Sequence, residues 1–216
     1  MCFSAGASFG ASAVLGGIGI VAIAKAKTTP QRLFAVIPFL FSFQQLSEGM
    51  LWLSVTHDAL HSWQPFFIYT FLFFAMMVWP VWVPLTILLL EKNKSRRKIL
   101  KWMTGAGIIV AIGVAVVLIS CNIRVVPTHH HLHYRFDLSP DGKKLIVIFS
   151  LLYILATIVS PFFSTNKRMK WLGVGFLISY LVAVTFFQGY VVSVWCFLAA
   201  LLSFVVLWIL SEERKL

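Results

Sequence analysis

Long apolar runs separated by short basic clusters constrain this chain more than any other feature of its sequence. About 20 consecutive apolar residues carry one helix across the hydrocarbon core of a bilayer. Seven such stretches can be placed along the 216 residues, at about 3–24, 33–55, 65–90, 99–120, 145–163, 171–188 and 191–210. The last two belong to one stretch, Trp171 to Leu210, which is about twice a single crossing at 1.5 Å per residue. It has to turn, and Gln188, Gly189 and Tyr190 are the natural place. With 60% hydrophobic residues, 12% charged residues and a mean hydropathy of +0.90, the chain is too apolar for a water-soluble domain of its size. The expectation is an all-α polytopic membrane protein, a single domain of seven transmembrane helices over residues 1–216.

The charges orient this arrangement. Fourteen of the 18 basic residues fall in alternate connectors: Lys25, Lys27, Arg32, the six between Lys92 and Lys101, Lys167, Arg168, Lys170, Arg214 and Lys215. Only Arg124, Arg135, Lys143 and Lys144 fall on the other side. Glu91, Glu212 and Glu213 share the basic side, so 14 positive less 3 negative charges leave +11 there, whereas four of each sign cancel opposite. Cytoplasmic loops carry the excess of Lys and Arg. Seven spans with the amino terminus outside and the carboxyl terminus inside keep the whole net charge on one face. The same clusters account for the basic balance without nucleic acid, which is not an expected partner. Met1 to Ala24 has no charge and therefore no basic leader, so the first apolar segment is expected to be a retained helix. Its Ser4, Ser8, Ser12 and Gly16 recur every four residues, a smooth ridge suited to close helix packing. Further on, Trp79-Pro80-Val81-Trp82-Val83-Pro84 predicts a kink or a locally unwound segment, because each proline removes a donor and clashes with the preceding turn.

Glu48 is the one acidic residue inside an apolar run. A carboxylic acid in hydrocarbon costs roughly 3 kcal/mol on insertion scales, so it faces the bundle interior, a partner or water. Gln44, Glu48 and Trp52 are spaced by four and share one helical face, with Gln45 beside them. That face is the default functional site, with packing by polar side chains as the bland alternative. In the seven-span order Cys2, Glu48, Cys121, Gln188, Tyr190, Ser193 and Cys196 all come to the outer third, and all six histidines lie in the two outer connectors.

The opening MCFSA, the QQxxEGxLW pattern around Glu48, WPVWVPL, and VSVWCFLAA at Val192 to Ala200 resemble a family of small bacterial integral membrane proteins without an assigned activity. The resemblance covers nearly the whole chain. It implies a His-x-x-x-Tyr element after the fourth helix, matched by His130 and Tyr134, while the neighbouring His129, His131 and His133 depart from it. It strengthens Cys2, Glu48, His130, Tyr134 and Cys196 as catalytic candidates without giving them roles. It also implies a multi-pass protein of the bacterial inner or plasma membrane.

Two His-x-x-x-His spacings, His57 with His61 and His129 with His133, would each put two imidazoles on one face of an α-helix, a way to hold zinc or another divalent metal. Glu48 or the Cys2 thiolate could complete such a site. Cys2 and Cys121 could instead be joined as a disulfide, and no Cys-x-x-Cys favours oxidoreduction. No phosphate-binding Gly-rich loop accompanies these residues. The expected function is an outward-facing polar site around Glu48, with metal-dependent hydrolysis of a lipid or another membrane-embedded substrate as the chemistry. The alternatives are a transporter or proton-coupled channel using Glu48, and a non-catalytic membrane component. Membrane lipids are the expected surroundings in every case.

Overall fold

The computed structural model describes residues 4–128 and 131–213. Each apolar run forms helix, since a backbone surrounded by hydrocarbon must satisfy its own hydrogen bonds. The order is α1 (Ala5–Lys25), α2 (Thr29–Ala35), α3 (Ile37–Thr56), a 3₁₀ segment (Asp58–Trp63), α4 (Gln64–Leu72), a π-helical turn (Phe73–Val78) and α5 (Trp79–Leu90). There follow α6 (Lys94–Ser120), strands β1 (Ile123–Thr128) and β2 (His131–Phe136), and α7 (Pro140–Ile154). A second π turn (Leu155–Val159), a 3₁₀ segment (Ser160–Phe163), α8 (Met169–Phe186), a 3₁₀ turn (Gln188–Tyr190), α9 (Val191–Ala200) and α10 (Ser203–Glu213) complete the chain. Merged where they run on, these make seven helical rods, of which six are long and apolar enough to cross a membrane. The rod left out is the one carrying α3.

Its composition explains why. Gln44, Gln45, Ser47 and Glu48 lower its hydropathy, and the other helices bury all four. By contrast α7 buries no residue along its length. The helix starts are fixed locally. Thr28 and Gln31 form a capping box with Pro30 in the first turn of α2, Asn93 accepts from Ser95 and Arg96 at the start of α6, and Ser139 accepts from Gly142 before α7.

The serine and glycine ridge of α1 packs along α3. Ser12 and Ser42 each donate a hydroxyl to the other's carbonyl, at 2.9 and 2.7 Å, and a Cβ on Gly19 would stand 2.7 Å from the Phe39 ring. At Gly49 the Phe9 ring takes the place that a side chain would need.

The proline segment departs from expectation. Trp79 to Leu90 remains α-helical with Pro84 inside it, and the irregularity lies before it, in the π turn Phe73–Val78. A proline ring presses on the carbonyl four residues back. For Pro80 that is Met76, inside the π turn. The second π turn bears the same relation to Pro161, whose clash falls on Thr157. Pro84 in turn frees the Pro80 carbonyl, and α6 passes so close that a Cβ on Gly107 would fall 1.7 Å from that oxygen. Only glycine fits there.

Between α6 and α7, where a polar connector was expected, the chain forms an antiparallel hairpin with Ile123 opposite Phe136 and Thr128 opposite His131. Side chains alternate across a strand, so Val125, Leu132 and Tyr134 turn into the helices and are buried. They join Leu51, Phe71, Leu118 and Cys196 in one core cluster. A larger cluster around Phe34, Ile37, Ile87, Leu100 and Ile209 fills the other end, which is the end of the basic clusters.

That basic end is closed by a second buried carboxylate. Glu91 caps α5, and its oxygens accept from the backbone N–H of Asn93 at 2.8 Å, the backbone N–H of Thr165 at 2.6 Å and the Thr165 hydroxyl at 3.0 Å. Arg97 donates to the carbonyls of Leu88 and Glu91, and Arg96 reaches the carbonyl of Ser164. Burial works against the Glu91 charge, but the donors from Asn93, Thr165 and Lys92 outweigh it and hold the carboxyl below its usual pKa of 4.5.

Candidate functional site

Glu48 sits on the buried face of α3, one turn after Gln44 and three residues after Gln45. Both of its oxygens are engaged. Ser193 of α9 donates its hydroxyl to Oε1, and the Gln45 amide donates to Oε2 at 3.3 Å. Glu48 and Ser193 are 145 residues apart in the chain, so the contact belongs to the tertiary fold and not to one helix.

Gln44 extends the cluster on the opposite side. Its Oε1 accepts from the indole N–H of Trp79 at 2.7 Å, and that indole is stacked on Phe41 at 3.9 Å between ring centres. With the oxygen fixed, the amide nitrogen of Gln44 is turned to the Cys196 thiol, which also lies within the electrostatic reach of Glu48. That nitrogen makes no conventional hydrogen bond among the described residues, and neither does Oε1 of Gln45 nor the indole nitrogen of Trp52. Buried polar atoms of this kind are uncommon in folded proteins. Three of them lie on α3, each within four residues of Glu48.

Cys196 follows Ser193 by three residues, which puts both on the same face of α9. The cluster therefore brings together an acid, a hydroxyl and a thiol, two of which were candidates in the sequence. Ser193 was placed in the same outer third without a catalytic role, and its spacing to Cys196 is the signal that points to it. The Trp79 bond to Gln44 carries a weaker signal: an indole N–H inside an apolar helix has to find an acceptor.

The other candidates lie elsewhere. Tyr134 is buried in β2 with its ring stacked on Phe71 at 5.3 Å, in the same core cluster as Trp52 and Cys196. Cys2, His129 and His130 lie outside the described residues. Cys121 ends α6 at the hairpin end, where burial first and the Asp137 charge second raise its thiol pKa. Neither Cys121 nor Cys196 is in a disulfide among the described residues.

The expected helical histidine pairs do not form as helical pairs. His57 is followed by the 3₁₀ segment Asp58–Trp63, in which residues three apart, not four, lie over one another. It is exposed, with Nδ1 2.9 Å from the Thr56 hydroxyl, while His61 borders a groove beside Arg124. His133 is in a strand, where it and His131 flank Tyr190 with ring centres 5.7 and 4.6 Å away. Among the described residues no group of three or more His, Cys, Asp or Glu side chains is placed to hold a metal ion.

The chain belongs to the family of unknown function DUF6629, whose sequence profile matches residues 1–216. No curated protein and no solved structure matches it. Membership in this family confers no activity on the Glu48 cluster, so any role has to be argued from its chemistry.

Proposed function

We propose that the chain is a multi-pass protein of the bacterial inner or plasma membrane, with seven crossings, an outer amino terminus and an inner carboxyl terminus, whose Glu48 cluster hydrolyses a lipid or another membrane-embedded ester or amide. The observation that carries this reading is the Ser193 hydroxyl donating to the fully buried Glu48 carboxylate. A carboxylate that accepts the proton of a hydroxyl stands where a general base stands beside its nucleophile. In this scheme the Ser193 oxygen bonds to the substrate carbonyl as its proton passes to Glu48. The proton then goes to the departing alcohol or amine, and water releases the acyl group from Ser193. Cys196 and the Gln44 amide border the reacting atoms, and the Gln44 N–H is available to a developing oxyanion.

The test uses protein reconstituted into vesicles of isotopically labelled bacterial phospholipid, with release of fatty acid as the readout. Glu48→Gln keeps size and hydrogen bonding, so the fold should survive while turnover falls by about 10² to 10⁴, the usual weight of general acid–base catalysis. Turnover equal to wild type would remove the role assigned to Glu48. Proton movement across the vesicle wall with no lipid product would favour transport instead. The orientation is checked separately with a membrane-impermeant thiol reagent. A cysteine placed at Asp141 should react in intact cells and one placed at Arg96 only after permeabilisation, and reaction of both from one side would reject the seven-crossing order.

A further inference from the structure

A cavity of about 150 Å³ opens between helices beside the Glu48 cluster, bordered by Met76, Val110, Phe149, Tyr153 and Trp195 and reaching Cys196. Every wall belongs to a helical rod long and apolar enough to cross a membrane. We propose that this cleft takes one hydrocarbon chain of a membrane lipid and leads it to the Cys196 end of the site. The inference rests on reading the Glu48 cluster as a reactive site, and it adds the substrate class and the route of entry.

Four observations fix the occupant. The first is the wall chemistry, which has no charged side chain. Three of its polar groups are already used: the Tyr153 hydroxyl donates to the carbonyl of Ala75 at 2.8 Å, the Ser150 hydroxyl to Ile146 at 2.7 Å, and the Trp195 indole to Ser179 at 3.2 Å. Apart from the Tyr180 hydroxyl and the Cys196 thiol, a ligand meets mostly hydrocarbon surface. The second is size. An apolar cavity of this order stays dry and accepts an apolar ligand about as large as benzene, and it is far too narrow for a helix of about 10 Å diameter.

The third is shape. The α7 wall runs from Ile146 to Ile154, nine residues or about 12 Å of helix. A cavity of this volume lined over that length suits an extended chain better than a fused ring. The fourth is position. Val147, Ile148 and Leu151, on the same helix as Ile146, Phe149 and Tyr153, are exposed and would face acyl chains, so the cleft lies one helix away from lipid. The π turn Phe73–Val78 supplies Ala75 and Met76 to the lining, and its wider turn frees the Ala75 carbonyl that Tyr153 holds. A smaller void of about 20 Å³ continues past Tyr153, Trp195 and Cys196 to Phe41 and Trp79, the residues that hold Gln44.

The experiment is photo-crosslinking of the full-length protein in vesicles that contain a phosphatidylglycerol with a diazirine in one acyl chain, followed by mapping of the modified residues. Adducts are expected on Met76, Phe149 and Tyr153. They should be lost in Val114→Trp, which fills the cleft from α6, and in Ala75→Leu, which fills it from the opposite wall should the tryptophan variant not fold. Adducts confined to outward residues such as Ile112 and Ile119, or cleft adducts that persist in the folded filled variants, would overturn the proposal. Glu48→Gln is expected to keep the cleft adducts. If it keeps them together with full turnover, the chain site stands and the reading of Glu48 falls; if turnover is lost in Glu48→Gln while wild type shows no cleft adducts, the reverse holds.

Discussion

Among the described residues two carboxylates are buried, and they are treated in opposite ways. Glu91, at the basic end, is surrounded by donors that cannot move away: the backbone N–H groups of Asn93 and Thr165, together with the Thr165 hydroxyl. It ties the end of α5 to the turn before α8, and its carboxyl is held ionised. Glu48 accepts from two side chains, Ser193 from one helix and Gln45 from its own. Beside it stand amide and indole atoms of Gln44, Gln45 and Trp52 with no hydrogen bond among the described residues. Backbone donors make a carboxylate a fastener. Side-chain donors leave it able to exchange a partner, which is what a reaction needs.

The contrast can be broken by making the same change at both places. In Glu48→Gln turnover should collapse with little change in thermal stability, and in Glu91→Gln turnover should persist while stability falls. A variant pair that behaves alike in both assays would end the distinction. Next in size is Glu91→Ala, which removes the acceptor of the Asn93 and Thr165 N–H groups and should cost roughly 2 kcal/mol by denaturant titration in detergent, the usual weight of a hydrogen bond to a charged group. A loss no larger than that of a surface alanine substitution would show that water replaces the carboxylate.

The smallest effect is in pH. Because the folded pKa of Glu91 is lowered, its contribution to stability is fully present above 4.5 and is lost as pH falls through the lower folded value. Acid unfolding followed by tryptophan fluorescence should therefore be shallower in Glu91→Gln than in wild type. Identical acid profiles would mean that other carboxylates govern the transition.

The helices were legible because lipid imposes composition on every residue that faces it. Runs such as Trp171 to Leu210 announce both their length and their turn, which falls at Gln188–Tyr190. The helix Ile37–Thr56 is less legible as a span for the reason that it matters: its polar side chains face protein and not lipid. The hairpin was not legible. Arg124, Pro127 and the histidines mask the two-residue alternation of Leu132 and Tyr134, and only the register with β1 reveals it. The prolines announced an irregularity but not its form, because whether a clash is relieved by a kink or by a wider turn depends on neighbours such as Gly107. In the site, Glu48 and Cys196 could be named from residue type. The Ser193 and Trp79 contacts could not, since they join helices far apart in the chain.

The reciprocal serine bonds between α1 and α3 bear on how the protein is made. Synthesis delivers α1 first, and α3 then arrives with an acid and two amides that lipid alone receives at a cost of roughly 3 kcal/mol for the acid. Ser12 and Ser42, with Gly19 under Phe39, offer the newcomer a neighbour it can lie against before any later helix exists. Replacing Ser12 and Gly19 by isoleucine should therefore misplace the segment after residue 56 in a fraction of new chains, read as reaction of a cysteine at Asp58 from the wrong side. Unaltered reaction would mean that α3 enters without that neighbour. Misplacement in that variant would make α1 a chaperone for α3, built into the same polypeptide and never released.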